Sequence, residues 1–365
     1  MKNILFLINN LAGGGAENVL TTLVNNLDNE YDITVQTIYN EGIYRNYLKK
    51  SICYKTIIKN PTKNKIRIVN RLIKYLPARF LHNIFIKENY DIEIGFLEGM
   101  SCKVISGCDT NIKKIGWIHT DLSRTVSFFY NKKAEKKCYD NLSDIVCVSD
   151  DAKLAFIKEV SSKNEPLVIH NPIDKQKILN KSEENNKCEI NKTCFTICSV
   201  GRLVKLKGFD RLIEATGKLI KQGYEINVWI LGKGELENEL KHQVDKLGLN
   251  DYIFFLGFAE NPYSIMKLCD LYICASIFEG YSISVSEAIV MGLPVISTDC
   301  AGMGEILGNG NYGMIVNNSI EGIYSGLKNI LDDKILLLDM KKKSQERSNY
   351  FDLMNTLSSV KKLLD

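Results

Sequence analysis

Two glutamates, Glu279 and Glu287, bracket a Gly-Tyr-Ser turn within SIFEGYSISVSEAIVMGLPVISTDCAGMGE at 276–305. The turn runs into an apolar helical stretch that stops at Gly292-Leu293-Pro294, and an apolar strand pattern follows at 295–297. A strand end, an acid, a glycine turn and a helix start make an anion site with carboxylates on both sides, because unpaired N–H groups and the helix dipole favour a phosphate there. A carboxylate does not help to hold phosphate. It accepts hydrogen bonds from vicinal sugar hydroxyls well. The stretch therefore fits a nucleotide sugar. Glu287 has a plainer explanation as well, since Ser284 and Glu287 have the spacing of a capping box. Glu279 lies outside the helix and has none.

A second group of residues suits the phosphates. In FTICSVGRLVKLKGFD, Gly201 and Arg202 stand just past a strand and Lys207 near the next helix start. Charge-assisted bonds from an Arg and a Lys at such a loop are worth about 1.5–3 kcal/mol each to a diphosphate; the bland alternative is surface charge. Gly13-Gly14-Gly15 opens the first helix, but Asn18 stands where a dinucleotide fingerprint needs its third glycine, and no acid ends the second strand. A hinge-like loop reaching the diphosphate or an acceptor fits better than a dinucleotide site. His119, in GWIHTDLS, follows a strand pattern, and its neutral imidazole could bond a sugar hydroxyl or orient an acceptor. A lone histidine is also a common structural residue. Asp121 has the type of a helix cap.

The elements that must position these residues alternate. Strand patterns at 3–8, 32–38, 91–97, 114–118, 144–149 and 167–169 are interleaved with helices at 16–27, 132–141 and 152–160. A polar stretch without periodicity, NKSEENNKCEINK at 180–192, reads as a linker. Strands then recur at 193–200, 226–231, 252–256, 271–274 and 295–297, with helices at 209–221, 235–247 and 284–291. Repeated βα units require parallel sheets covered on both faces. The expected fold class is therefore α/β, with two Rossmann-like doubly wound domains: 1–180, 181–350, and an amphipathic C-terminal helix over 351–365. Two such domains in tandem would place a ligand cleft at their strand C-terminal ends.

The chain has 365 residues, enough for two cores, and 45% hydrophobic and 25% charged residues, as in ordinary globular proteins. No apolar run is long enough to span a bilayer. Eleven cysteines without a C-x-x-C pair suggest reduced, mostly buried thiols in a cytosolic setting, and four histidines make a multi-His metal site unexpected. The net charge is +4, yet 42–87 holds twelve Lys/Arg and no acid, leaving −8 for the remainder (+4 less +12). Within it, KIRIVNRLIKYLPARFLHNIFIK at 65–87 places Ile66, Val69, Ile73 and Leu76 at helical spacing among basic residues, with Pro77 as a break. A basic amphipathic helix suits an anionic membrane surface. No nucleic-acid motif accompanies it, so nucleic acid is not an expected partner.

Glu279 and Glu287, followed by GLPVISTD and Glu305, resemble the E-x7-E signature of glycosyltransferase family 4, retaining enzymes of the GT-B fold. The resemblance extends to GGGAE near the start, His119, Asn171-Pro172-Ile173-Asp174 and the VGRL…KG segment. It implies donor binding in the second domain. Arg202 and Lys207 would hold the diphosphate, with backbone N–H groups of Ser282, Ile283 and Ser284. Glu287 would take the ribose hydroxyls and Glu279 the donor sugar's hydroxyls near C3 and C4. Gly257 and Phe258, with Gly232, would flank the base, and Gly14, Gly15 and His119 would contribute from the first domain. Neither a metal nor a cofactor is implied, because positive side chains and N–H groups carry the leaving-group charge. Tyr281 and Ser282 depart from the family's frequent Phe and Gly, and Ser282 narrows the space beside the sugar. The resemblance implies transfer of a hexose or N-acetylhexosamine from a UDP-sugar to a lipid-diphosphate-linked saccharide in bacterial surface polysaccharide assembly, at the cytoplasmic membrane. The rival classes are a nucleotide-sugar epimerase or hydrolase of the same architecture and a non-catalytic sugar-nucleotide-binding protein.

Overall fold

The structure is a computed structural model describing residues 1–109, 111–184, 192 and 194–365. It divides into two units, Met1–Pro172 with Met354–Asp365, and Ile173–Leu353.

The first unit is built on a seven-stranded sheet of β1 (Asn3–Ile8), β2 (Asp32–Tyr39), β3 (Cys53–Ile58), β4 (Ile92–Gly95), β5 (Lys113–Ile118), β6 (Asp144–Cys147) and β7 (Leu167–Val168). Their order is β3-β2-β1-β4-β5-β6-β7, and every pairing is parallel. The second unit carries six strands, β8 (Phe195–Val200), β9 (Ile226–Leu231), β10 (Ile253–Gly257), β11 (Leu271–Cys274), β12 (Val295–Thr298) and β13 (Met314–Val316). They run β10-β9-β8-β11-β12-β13, again all parallel. The central strands are buried on both faces and are correspondingly mostly apolar, as in INVWIL of β9, where Asn227 is the one polar residue. In each sheet the winding reverses beside the unit's first strand, between β1 and β4 and between β8 and β11. Those switch points are where open α/β sheets bind ligands.

Several expectations need correction. The divide between the units falls after Pro172, not near 180. Asp174 caps the helix Lys175–Ser182 by accepting from the Lys177 N–H at 2.9 Å, and that helix buries Ile178 in the second unit. Of the polar stretch at 180–192, residues 185–191 lie outside the described residues, as does Thr193 at the expected strand start. The sequence reading also omitted β3 and β13, both only partly buried. The helix Leu353–Leu364 returns to the first unit: it buries Leu357, Val360, Leu363 and Leu364, and its C-terminal carbonyls of Leu364 and Asp365 accept from Lys2 at 2.8 Å.

Pro77 breaks the basic stretch into helices Lys63–Tyr75 and Ala78–Phe85. Ile66, Val69, Ile73 and Leu76 face the core. A second apolar stripe, Ile68, Leu72 and Tyr75, points outward at 59%, 48% and 61% exposure. Lys63, Lys65, Arg67 and Arg71 make no ion pair among the described residues, whereas Lys49, Lys55 and Arg79 pair with Asp28, Glu88 and Asp109. Of the ten cysteines described, all are free and eight are buried.

Candidate active site

At the switch point of the second unit, two loops meet. One follows β8 and holds Gly201, Arg202, a single 3-10 turn Lys205–Lys207, and Gly208 before the helix Phe209–Ile220. The other follows β11 and runs from Ala275 to the helix Ile283–Val290. They are stitched by their backbones, with the Ile277 N–H donating to the Leu206 carbonyl at 2.7 Å. Gly208 makes the approach possible: its φ is +63°, and a Cβ there would lie 2.1 Å from the Ala275 oxygen. Arg211 donates to the same Ala275 carbonyl and, at 2.7 Å, to Asn318 Oδ1, while Asn318 donates to the Ile277 carbonyl at 2.8 Å. Thr298 at the end of β12 donates to the Ser276 carbonyl at 2.6 Å. The loop that carries Glu279 is thus held from three elements.

Glu279 and Lys207 meet directly. Lys207 Nζ lies 2.6 Å from Glu279 Oε1, and Ser276 Oγ donates to the same oxygen at 2.6 Å. Their side chains keep 25% and 12% exposure. Glu279 thus has a lysine and a serine as partners in addition to the sugar hydroxyls expected of it. Burial alone would pull the Lys207 ammonium down, but the charge and hydrogen bond of Glu279 outweigh it and hold the group above its ordinary value. Arg202 is exposed and close enough to oppose that charge. Ser199, Tyr272, Cys274 and Ser284 line the same hollow.

Glu287 is not part of a capping box. The helix begins one residue earlier than the sequence pattern suggests, so Ser282 is the N-cap and Ser284 lies inside the first turn. No side chain caps the first turn at Ser282. The Glu287 carboxylate instead accepts from the Tyr263 hydroxyl at 2.7 Å. It is 7% exposed, and burial raises its pKa from 4.5 to about 7 against the opposing pull of Tyr263 and Lys177. Nothing around Tyr263 in the sequence marks it as a partner of this acid.

Gly257 and Phe258 stand at the end of β10, beside Gly232 at the end of β9. The Gly232 N–H donates to the Gly257 carbonyl at 2.8 Å, and a Cβ on Gly232 would fall 1.9 Å from the Gly201 oxygen. Three glycines therefore line one edge of the sheet from the cationic loop outward, and Phe258 is 47% exposed there.

The remaining candidates belong to the first unit. Gly14 is the N-cap of the helix Gly15–Leu27, and a Cβ on it would meet the Glu17 carboxylate at 2.4 Å, so the chain's own acid lies over this helix start. His119 follows β5 and packs its ring on Phe96, 4.9 Å between centroids. Its Nε2 is buried with no hydrogen-bond partner among the described residues, and burial lowers the ring's pKa to about 3, so the imidazole is neutral. Its backbone N–H donates to Glu98 Oε2 at 2.9 Å. Glu98 was missed in the sequence; its signal is an acid-glycine pair past a strand end, as at Glu279-Gly280. Asp121 caps a short 3-10 turn through Ser123, as its type suggested.

Residues 180–347 match the family model described as "Glycosyl transferases group 1". The chain is 26% identical over 380 aligned residues, covering all of both chains, to an N-acetylgalactosamine-N,N'-diacetylbacillosaminyl-diphospho-undecaprenol 4-alpha-N-acetylgalactosaminyltransferase of Campylobacter jejuni. It is 27% identical, over 60% of this chain and 59% of the other, to a UDP-Gal:alpha-D-GlcNAc-diphosphoundecaprenol alpha-1,3-galactosyltransferase of Escherichia coli. By these likenesses the chain is similar to glycosyltransferases, the second unit through the family model and the whole chain through the Campylobacter enzyme. Among solved structures, Anabaena HepE in complex with UDP and glucose superposes with a TM-score of 0.77 at 18% identity, over 100% of this chain and 99% of that one. At that identity the likeness speaks for the fold alone. Every candidate residue of the second unit falls inside the matched span.

Proposed function

We propose that the protein is a retaining glycosyltransferase that moves a hexose or N-acetylhexosamine from a UDP-sugar to a sugar hydroxyl of a lipid-diphosphate-linked acceptor. The observation that carries this reading is the Lys207–Glu279 pair at the β8/β11 switch point, beside a helix start without a side-chain cap. A donor diphosphate gives Lys207 and Arg202 a stronger partner than a carboxylate shared with Ser276, and the N–H groups of Ser282, Ile283 and Ser284 at the helix start would add to them. Glu279, released, turns to the donor sugar's hydroxyls, and Glu287 takes the ribose hydroxyls. The leaving diphosphate takes up the acceptor's proton as the acceptor attacks from the same face. Charge developing on the diphosphate is met by fixed donors, which is where such sites gain most of their rate. The printed activities of the two relatives, both on undecaprenol-linked diphosphates, favour this acceptor class.

The first unit takes the acceptor in this reading. The unpaired cations of Lys63–Tyr75 and the outward stripe Ile68, Leu72 and Tyr75 suit an anionic membrane surface from which a lipid-linked acceptor is presented. No helix among the described residues is long and apolar enough to cross a membrane. In this reading the contact is peripheral, at the cytoplasmic face. The test is thermal shift and ligand-observed NMR against UDP-, GDP- and ADP-sugars, then transfer from each binder to lipid-diphosphate sugars with anomeric analysis of the product. Stabilisation by UDP-sugars and a product of unchanged anomeric configuration are expected. Absence of any nucleotide binding, or an inverted product, overturns the reading.

A further inference from the structure

The two units repeat one local design. After β4 the chain reads Phe96-Leu97-Glu98-Gly99-Met100-Ser101, and after β11 it reads Ile277-Phe278-Glu279-Gly280-Tyr281-Ser282. In both segments an acid and a glycine stand together, an aromatic or apolar residue and a serine follow, and a helix starts within this run, at Met100 directly after the glycine in the first and at Ile283 directly after the serine in the second. β4 and β11 hold the same place in their sheets, each hydrogen-bonded to the first strand of its unit at the point where winding reverses. Glu98 is therefore the positional counterpart of Glu279. Their surroundings differ in one respect. Glu279 has Lys207 against it, whereas no lysine or arginine pairs with Glu98 among the described residues.

Glu98 is half-buried, and a carboxyl partly withdrawn from water without a cation is costly unless it is neutral or serves a ligand. Burial pushes Glu98 above the usual carboxyl range, against the pull of the His119 N–H. Beside it stand a neutral imidazole with an unpartnered, buried Nε2 and the side chain of Thr120. The imidazole and the Thr120 hydroxyl are uncharged, and each of the three groups has donor or acceptor capacity. Such a set suits a neutral polyhydroxylated ring and suits phosphate poorly.

We propose that the first unit holds its own saccharide-hydroxyl site at the β1/β4 switch point, with Glu98 and His119 Nε2 as the groups that bond a sugar hydroxyl. This rests on the glycosyltransferase reading above, and it adds a binding residue, Glu98, to the first unit. The hydroxyl belongs to the acceptor or to the donor sugar; the chemistry at Glu98 is the same.

The test uses the full chain as wild type, Glu98→Gln and Glu98→Ala. Calorimetry with UDP reports the second unit and the underlying reading. Saturation-transfer NMR with methyl glycosides of N-acetylglucosamine, N-acetylgalactosamine and galactose, in saturating UDP, reports an acceptor hydroxyl. Affinity for the intact UDP-sugar relative to UDP reports a donor hydroxyl. In all three proteins the UDP affinity should agree within about twofold, while Glu98→Ala weakens glycoside or UDP-sugar binding at least about tenfold and Glu98→Gln, which keeps a carbonyl acceptor, by about threefold or less. A role limited to bracing the His119 backbone would lower the melting temperature of Glu98→Ala and leave both sugar affinities as in wild type; that result overturns the proposal. So does a wild type that binds UDP but shows neither glycoside contact nor any added affinity for the sugar of the UDP-sugar. Loss of UDP binding in the wild type itself would instead strike the glycosyltransferase reading.

Discussion

Glu287 carries its raised pKa because it is buried on helix Ile283–Val290, and the hydrogen bond from Tyr263 and the charge of Lys177 do not offset that burial. If ribose hydroxyls donate to its carboxylate, the ionised form binds nucleotide better. Affinity for a UDP-sugar, whose diphosphate does not titrate near neutrality, should then fall as pH drops through about 7, and a pH series of titrations should show Glu287→Gln flat across that range. The same shift has a stability consequence of fixed sign. Between 4.5 and about 7 the folded protein holds a proton that the unfolded chain has released, so Glu287 costs stability progressively as pH rises through that window. Glu287→Gln should regain on the order of 1–3 kcal/mol at pH 8, read by urea unfolding. At Glu279 the expectation is kinetic. Glu279→Ala should lower turnover by at least ~10²-fold while UDP affinity stays within about threefold, because the freed Lys207 still meets phosphate. An equal loss in both would show that the acid holds the nucleotide rather than the sugar.

The elements matter here through how closely they approach. Gly208 lets the loop after β8 lie against the loop after β11, so Gly208→Ala should cost about 2–4 kcal/mol through its positive φ and the clash with the Ala275 carbonyl. Calorimetry should show a lowered melting temperature together with weakened UDP binding, since the same contact brings Lys207 to Glu279. That contact was only half legible in the sequence. The strand patterns around 195–200 and 271–274 were clear because strands buried on both faces are apolar or small along most of their length, Thr196 and Ser199 being the polar exceptions. The turn chemistry that follows each was clear too. The Ser284–Glu287 spacing misled, since a capping box is a local pattern and the helix start is decided by where the loop from β11 lands. Tyr263 and Glu98 were invisible as partners because their contacts join segments 24 and 21 residues apart, where spacing holds no information.

For the molecule as a whole, the lopsided charge and the outward stripe of Lys63–Tyr75 act together. The protein should sediment with vesicles containing anionic lipid, detach in about 0.5 M salt, and bind neutral vesicles poorly, because exposed charges act only within a Debye length. Ile68→Asp with Leu72→Asp should reduce vesicle binding about tenfold without altering UDP affinity, since both side chains point to solvent. The amino-acid sequence alone determined that there are two parallel α/β units, that acid and cation segments sit at strand ends of the second, and that a basic helix is broken at Pro77. Periodicity, glycine and proline act within a few residues, so they can be read along the chain. Tertiary structure decided which face of the basic helix is free, that the last helix packs on the first unit, and that Lys207 and Glu279, 72 residues apart, share one hydrogen bond. Those outcomes depend on which surfaces remain to be buried once both sheets have formed, and a linear pattern does not contain that.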